Sequence, residues 1–495
     1  MSIEYKIKHL NSIIDKTKNI PLSNGGRFYN KRKLKIGIIS DEYFYNSIKD
    51  SASFIYLTCK NWEQVITNGI DLLFFETPWT GIDNEWEGIA WTGGNEKKDV
   101  LVKIVKTCKL KNIPTLFYSK EDPPDFYTFL EQARLFDYVF TTCEECIDSY
   151  KKELKHNNVF ALPFCFNPIF NNPIGLSTEE QLDKVLFAGA WYEAFSERCT
   201  DQKMIFDGVL SSKGEKLFII DRNYNHKKPS IFPKCYHSFI YPSVQHDVLQ
   251  KLHKLFRWAI NVNSIKDSKT MFANRTFELL ANGNLILSNY SLGVNDILPN
   301  IFIIPNKEVV PMILDTLTNE EKYELQIAGV RSVMSTHTCF HRLEQFLEPL
   351  GLSQPVKEAS ILVVLEDEGC LRNFEYQTYK NKSYTLSRDL NVELVSKYDM
   401  VTWFTSKYEY DIFYLEDLCN SFKYTCSSFI TKNKVKNSSR FSGAENSYTN
   451  EMKSKYITVF WVKDFDPNFL LDIKGEHILE NGYSSDCLNI STNGE

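Results

Sequence analysis

Short apolar runs separated by helix-length segments recur along this chain, and that rhythm restricts the fold more than any single motif does. Leu34–Ile39, Leu72–Phe75, Thr115–Tyr118 and Tyr138–Phe140 are largely apolar over three to six residues. Strands without a polar face are buried on both sides, as in a parallel sheet covered by crossover helices. Asp99–Cys108 supplies one such helix, with Val100, Leu101, Ile104 and Val105 at helical spacing. A second set follows at Val185–Ala188, Leu217–Ile220, Ala259–Val262, Leu285–Leu287 and Ile301–Ile304. The expected fold class is α/β, with two tandem Rossmann-like doubly wound domains over residues 31–178 and 179–352. The polar, proline-bearing stretch Asn171–Glu180 divides them. Residues 1–30 read as an N-terminal helical extension with Ile7, Leu10, Ile13 and Ile14 on one face. Glu320–Leu350 is expected to be helical. The linker Gly351–Pro355 then opens a smaller C-terminal α/β domain over 356–495, whose first strand is Ile361–Leu365.

Charge and hydropathy narrow the partners. With 495 residues, at roughly 100–200 per domain, about three domains are expected. Lys and Arg number 57 against 63 Asp and Glu, so no basic surplus exists to neutralise a nucleic-acid backbone, and nucleic acid is not an expected partner. The apolar runs are a few residues long, short of the roughly 18 that cross a bilayer. No export signal is visible at the N-terminus, where charged and apolar residues alternate. The expectation is a cytoplasmic protein whose twelve cysteines are reduced thiols.

Tandem sheets of this kind bind ligands in the crevice at their strand carboxyl ends. In the second set the first strand runs into Phe187-Ala188-Gly189-Ala190, and Glu197-Arg198 opens the next helix. A glycine there lets the backbone approach a phosphate, and Arg198 is placed to close over a diphosphate; a simple tight turn would look the same. Arg275 and Glu278 are three apart on an expected helix that ends at Asn282-Gly283. They suit a diphosphate and a sugar diol, or merely an intrahelical ion pair. Two further motifs carry no expected chemistry. Cys143-Glu144-Glu145-Cys146 has dithiol spacing, but its glutamates oppose thiolate formation. His337 and His341 lack the glutamate of a zinc-binding helix and read as packing residues.

Arg275–Asn289, RTFELLANGNLILSN, resembles the donor-site stretch of GT-B glycosyltransferases. Phe75–Gly81, Asn112–Thr115, Ser119–Pro123 and Phe136–Thr142 resemble the N-terminal domain of the CgeB-type, spore-maturation-protein-like members, as do the FAGAWY and ERC segments. The resemblance covers roughly residues 34–350. It implies a nucleotide-sugar-dependent transferase, with the donor, a UDP-sugar foremost, on the second domain and the acceptor on the first. By the same likeness Glu278 holds donor hydroxyls and Arg275 the diphosphate. Gly189 and Arg198 face the phosphates, and Asn263 and Lys266 line the cleft. Many retaining members carry an earlier glutamate where Thr270 stands here, so the stereochemical outcome stays open. No metal and no cofactor beyond the donor substrate is expected, since cationic side chains and helix termini stabilise the leaving diphosphate.

In the first domain Trp79, Trp86 and Trp91 accompany Glu76 in a loop-like stretch. Aromatic faces beside carboxylates suit a carbohydrate acceptor, although the tryptophans would equally serve as packing. Glu121 or Asp122 follows a strand end and would supply a general base in an inverting enzyme; Asp122-Pro123 is also a helix-start signal.

The third region resembles the GT-A-type domains of cell-surface polymer synthesis at Arg372–Tyr379, Tyr414–Leu418 and Phe422–Thr425. Lys407 lies in the stretch where such domains carry paired metal-binding carboxylates, so a degenerate accessory domain is expected. The combined reading is a glycosyltransferase acting on a cell-surface glycan, teichoic-acid-like or protein acceptor. A homo-oligomer and a peripheral position at a membrane are both compatible with it. The alternative is a non-catalytic carbohydrate-binding or scaffold protein built from transferase domains. An oxidoreductase is disfavoured because no GxGxxG follows a first strand.

Overall fold

The computed structural model describes residues 3–91, 93, 95–177, 180–213, 216–224, 231–432 and 445–492. The expected boundary at 178/179 lies outside the described residues. The first sheet contains β1 (Arg32–Ile39), β2 (Ala52–Tyr56), β3 (Leu72–Glu76), β4 (Thr115–Ser119), β5 (Tyr138–Thr141) and β6 (Val159–Ala161). Its order is β2-β1-β3-β4-β5-β6 and every pairing is parallel. Every residue of β3 and β4 is buried, because helices cover both faces.

The second sheet holds β7 (Leu182–Gly189), β8 (Leu217–Asp221), β9 (Ile240–Tyr241), β10 (Phe256–Asn261), β11 (Leu285–Ser288) and β12 (Ile301–Ile303). It too is parallel, in the order β12-β11-β10-β7-β8-β9. The winding direction reverses between β7 and β10, and in the first sheet between β1 and β3. Crevices open at such reversals, beyond the strand carboxyl ends. The chain is therefore α/β with two Rossmann-like sheets.

The C-terminal region adds β13 (Ile361–Leu365), β14 (Lys382–Leu386), β15 (Met400–Phe404), β16 (Tyr408–Tyr410), β17 (Phe429–Thr431), β18 (Ser447–Met452), β19 (Thr458–Trp461), β20 (His477–Ser484) and β21 (Ile490–Thr492), in two further sheets. Seven of these form a mixed sheet, β14-β13-β15-β19-β17-β20-β18, and β16 pairs with β21. One core joins it to the second domain. Phe277, Leu280, Val330 and Met334 pack with Leu415, Cys419 and Phe422, and Arg331 grips Asp417 through Nε at 2.6 Å and Nη2 at 2.8 Å.

Two expectations change. The N-terminal helix spans only Ile3–Thr17, and it packs on the second sheet, where Leu10 and Ile13 meet Leu186, Phe218 and Tyr241. Residues beyond it run along the third domain, where Ser23 donates to the Tyr424 carbonyl at 2.7 Å and the Arg27 amide to the Phe422 carbonyl at 2.9 Å. The helical stretch expected over 320–350 breaks into Asn319–Met334, Cys339–Leu347 and a short turn. The second helix returns to the first sheet. Cys339, Phe340, Leu343 and Phe346 pack against Ile36, Phe74 and Tyr118, while Arg342 Nε donates to the carbonyls of Pro163 and Phe164. Among the described residues no helix is long and apolar enough to cross a membrane.

Candidate active site

The β7 strand ends at Gly189, beside the reversal of the second sheet. A Cβ there would lie 2.9 Å from the Phe187 ring and 3.3 Å from Arg275 Nη1, so glycine keeps this edge open. Three arginines gather around it. Arg275 begins the helix Arg275–Ala281 and donates to the Ala188 carbonyl. Arg198, on the helix after β7, donates to the Ala190 carbonyl at 3.3 Å and to Gln202 Oε1 at 3.0 Å, and it covers the Tyr192 ring. Arg222 directly follows β8, and its amide donates to the Gly189 carbonyl at 3.0 Å. Burial and then the neighbouring charge of Arg275 push Arg198 down to about 10; burial and Arg222 lower Arg275. Such mutual depression is the signature of cations held together without enough negative charge. None of the three has a carboxylate within ion-pair distance among the described residues.

Buried polar atoms lacking a protein hydrogen-bond partner also collect along this crevice: Asp221 Oδ2, Asn261 Oδ1, Asn274 Oδ1 and His246 Nδ1. Most buried polar groups are paired, so this grouping marks a polar cavity edge rather than a finished core.

Tyr43, just past β1, reaches across from the first domain. Its hydroxyl accepts from Asn274 Nδ2 at 2.7 Å and hydrogen-bonds Glu278. Glu278 is 2% exposed, and its carboxylate also faces Gln250 Nε2 at 3.3 Å and Asn274 Nδ2 at 3.4 Å. Burial pushes it up to about 7, although hydrogen bonds from Tyr43 and Gln250 and the charge of Arg275 oppose the shift. A second tie joins the domains through Glu145, which accepts from Ser268 Oγ at 2.7 Å and the Lys269 amide at 3.0 Å.

The reversal of the first sheet carries its own cluster. Asp41, past β1, accepts from the amides of Trp79, Thr80 and Gly81 at 3.0, 3.1 and 2.7 Å and from Lys120 Nζ at 2.6 Å. Glu76 ends β3, accepts from the Asp41 amide at 2.9 Å and pairs with Lys120. Burial pushes Glu76 up to about 8 despite Lys120, whereas Lys120 and the loop amides overcome burial and lower Asp41. Glu121 lies 3.8 Å from Lys120 and accepts a hydrogen bond from Trp79; burial raises it, with Lys120 opposing. Trp79 is 41% exposed. An exposed ring beside a carboxylate with raised proton affinity is a combination that binds a hydroxylated ligand and takes its proton.

The structure thus brings together Gly189, Arg198, Arg275 and Glu278 on one side, and Glu76, Trp79 and Glu121 on the other. Several expected residues stand elsewhere. Lys266 is paired with Asp201 at 2.7 Å, so its charge is consumed within the second domain. Asn263 is buried in an asparagine network, where its Oδ1 accepts from the Ala273 amide and its own amide donates to Asn289 Oδ1, so its side chain is not open to a ligand. Asp122 is fully buried and holds Thr141 and Tyr150 at 2.6 and 3.2 Å, which rules it out as an accessible base. The helix expected near it begins at Phe126. Trp86 is a core residue whose Nε1 donates to the Leu57 carbonyl at 2.9 Å, and no sugar can stack on it. Trp91 is 65% exposed and rests on Gly88. His337 and His341 are half-buried, and desolvation pushes them down to about 4 and about 3.

Sequence reasoning missed Arg222, Asp41, Lys120 and Tyr43. Arg222 and Asp41 both stand just past strands of the two sheets, which is the signal that would have found them. Among the described residues no group of three or more His, Cys, Asp or Glu is placed to hold a metal ion.

Comparison with known proteins bears on this geometry. Residues 223–348, which carry Arg275 and Glu278, match the family model described as glycosyl transferase-like. No curated protein matches the chain. Among solved structures, Anabaena HepE in complex with UDP-glucose is 11% identical with a TM-score of 0.42, over 64% of this chain and 99% of that one. T4 phage BGT in complex with UDP and Mn2+ is 14% identical at a TM-score of 0.41, over 64% and 100%. A glycosyltransferase from Rickettsia africae is 12% identical at 0.39, over 65% and 98%. These three are distant likenesses of form. The family match makes residues 223–348, most of the second domain, similar to glycosyl transferase-like proteins.

Proposed function

We propose that this protein moves a sugar from a nucleoside diphosphate donor, a UDP-sugar foremost, to a hydroxyl of a cell-surface glycan, teichoic-acid-like or protein acceptor. The observation that carries this reading is the group formed by Arg198, Arg222 and Arg275 around the open Gly189 edge, cations with no carboxylate partner among the described residues. A diphosphate supplies the missing charge, and arginine forks match its oxygens. As the glycosidic bond to the diphosphate breaks, the same cations stabilise the leaving group, which is how such transfer proceeds without a metal.

Trp79 offers the acceptor a ring face, and Glu121 is the base that takes the hydroxyl proton if the reaction inverts. Glu278 stands behind Arg275 and Asn274 as a positioning carboxylate that a donor hydroxyl can reach once Tyr43 moves. The CgeB-type grouping fits this division of labour. The third domain, with Thr405-Ser406-Lys407 after β15, fits an accessory role in assembly or acceptor binding.

The test is a thermal-unfolding panel of UDP-, GDP-, ADP- and CDP-sugars without added metal. Wild type is compared with Arg275→Ala and Glu278→Ala. A donor at about 100 times its Kd stabilises the fold by ~2.7 kcal/mol, and folded Arg275→Ala is expected to lose that shift. No shift with any donor in wild type overturns the reading.

A further inference from the structure

A second charged cavity lies far from the donor crevice. It is enclosed by the amino end of β1, the helix Cys339–Leu347, the linker around Gln354–Lys357 and the third domain, and has a volume of 660 Å³. Six cations line it: Arg27, Lys31, Arg32, Lys33, Lys357 and Lys463. The lining carboxylates are two, and both are occupied. Glu344 pairs with Arg32 at 3.3 Å and accepts from the Gln354 amide at 2.5 Å; Asp399 accepts from the amide and hydroxyl of Ser360 at 2.9 and 3.0 Å.

Arg27 is fixed by Asp464 at 2.5 Å, yet its buried Nε has no hydrogen-bond partner. Lys31, Lys33, Lys357 and Lys463 have no ion-pair partner among the described residues. This excess stands on a chain whose formal net charge is -6, so it is local. Like charges crowded around a concavity repel one another, and an anion removes that repulsion.

We propose that this cavity binds an anionic glycan, a chain of sugar or polyol units bearing closely spaced phosphate or similar acidic groups. Three features favour that class. The lysines come from three separate segments, Lys31 and Lys33 at the amino end of β1, Lys357 on the linker and Lys463 just past β19, which suits charges repeated along a chain better than a single phosphate. The walls also carry apolar side chains, Leu34, Pro355 and Val356 among them, on which sugar or polyol carbons can rest, whereas the Tyr29 and Trp461 rings are covered by Phe340 and Arg27. The site is concave, whereas a bilayer surface meets a flat or convex face.

From Leu34, the last β1 residue lining the cavity, to Asp41 the chain runs roughly 23 Å at the usual strand rise. The cavity therefore requires neither donor binding nor turnover, and an acidic chain held here would leave the crevice free.

The experiment measures binding of poly(glycerol phosphate), dextran sulfate and neutral dextran to the full chain by calorimetry at two salt concentrations. Parallel arms use duplex DNA and phosphatidylglycerol vesicles. Wild type is expected to bind both acidic polymers, more weakly at high salt, and to ignore neutral dextran. The triple variant Lys31→Glu/Lys33→Glu/Lys357→Glu should lose at least about tenfold in affinity, as removal of several phosphate contacts implies. Its unfolding temperature and UDP response should match wild type. The arginine triple variant at the same positions should keep binding. The inference is overturned if wild type does not prefer the acidic polymers to dextran. Equal binding by the folded glutamate variant overturns it as well, as does tighter binding of DNA or vesicles than of the glycans. A donor panel without any shift would remove the transferase reading and leave this measurement standing.

Discussion

Replacing Arg222 with alanine separates a ligand-holding charge from a structural one. Arg222 is exposed, and its charge acts on Arg198 and Arg275 by lowering both. Deleting it from the empty protein relieves repulsion, so stability should stay level or rise by about 0–1 kcal/mol, the usual scale for exposed charges. With a nucleoside diphosphate bound, the same deletion removes charge-assisted hydrogen bonds worth about 1.5–3 kcal/mol. That converts to a Kd weaker by about 10- to 150-fold. Isothermal titration with UDP and UDP-glucose at fixed ionic strength gives the affinity, and thermal unfolding of the empty variant gives the stability. Opposite signs in the two measurements are the expected result. A Kd within a factor of about two of wild type, or a fall in the empty protein's unfolding temperature, would refute the assignment of Arg222 to the ligand.

Two further outcomes follow from the same geometry. Glu278 has a folded pKa of about 7 against an ordinary 4.5, so the native state binds the extra proton. Its contribution is fully present below the ordinary value and is lost as pH rises through 7, at most about 3 kcal/mol. Unfolding free energies of wild type minus Glu278→Gln should therefore fall between pH 5 and 8, and parallel curves would contradict the buried carboxylate. Trp86→Ala empties a fully buried site and should cost about 3–5 kcal/mol in denaturant unfolding. Trp79→Ala should leave stability nearly unchanged and raise the KM for acceptor, and equal destabilisation by the two would end the distinction between them.

Much of the scaffold was legible because burial on both faces leaves a local imprint. β1, β3, β4 and β5, and most of the second sheet, stand where apolar runs place them. In the first two sheets the strands that escaped notice are Ala52–Tyr56, Val159–Ala161 and Ile240–Tyr241, short elements at sheet edges, and in the C-terminal region only Ile361–Leu365 was expected. Ala52–Tyr56 is mostly half-buried, so its pattern is mixed. Gly189 and the Arg275/Glu278 pair were readable for a related reason: a turn and a helix fix their placement locally.

The neighbours Glu121 and Asp122 show the limit. One faces the crevice beside Lys120, and the other points into the sheet end against Thr141 and Tyr150. Nothing in the dipeptide distinguishes them. Trp79 and Trp86 divide in the same way between rim and core.

The sequence by itself determined that two parallel sheets form and where their strand carboxyl ends lie, because strand burial and helix period are encoded within a few residues. Only the tertiary structure decided which charges remain available there. Lys266 is spent on Asp201 and Lys120 on Asp41 and Glu76, while Arg198, Arg222 and Arg275 meet one another without a carboxylate. Likewise, only packing sends the helix Cys339–Leu347 back onto the first sheet. A charge is satisfied by whatever the fold brings within a few ångströms, and that partner can stand anywhere along the chain.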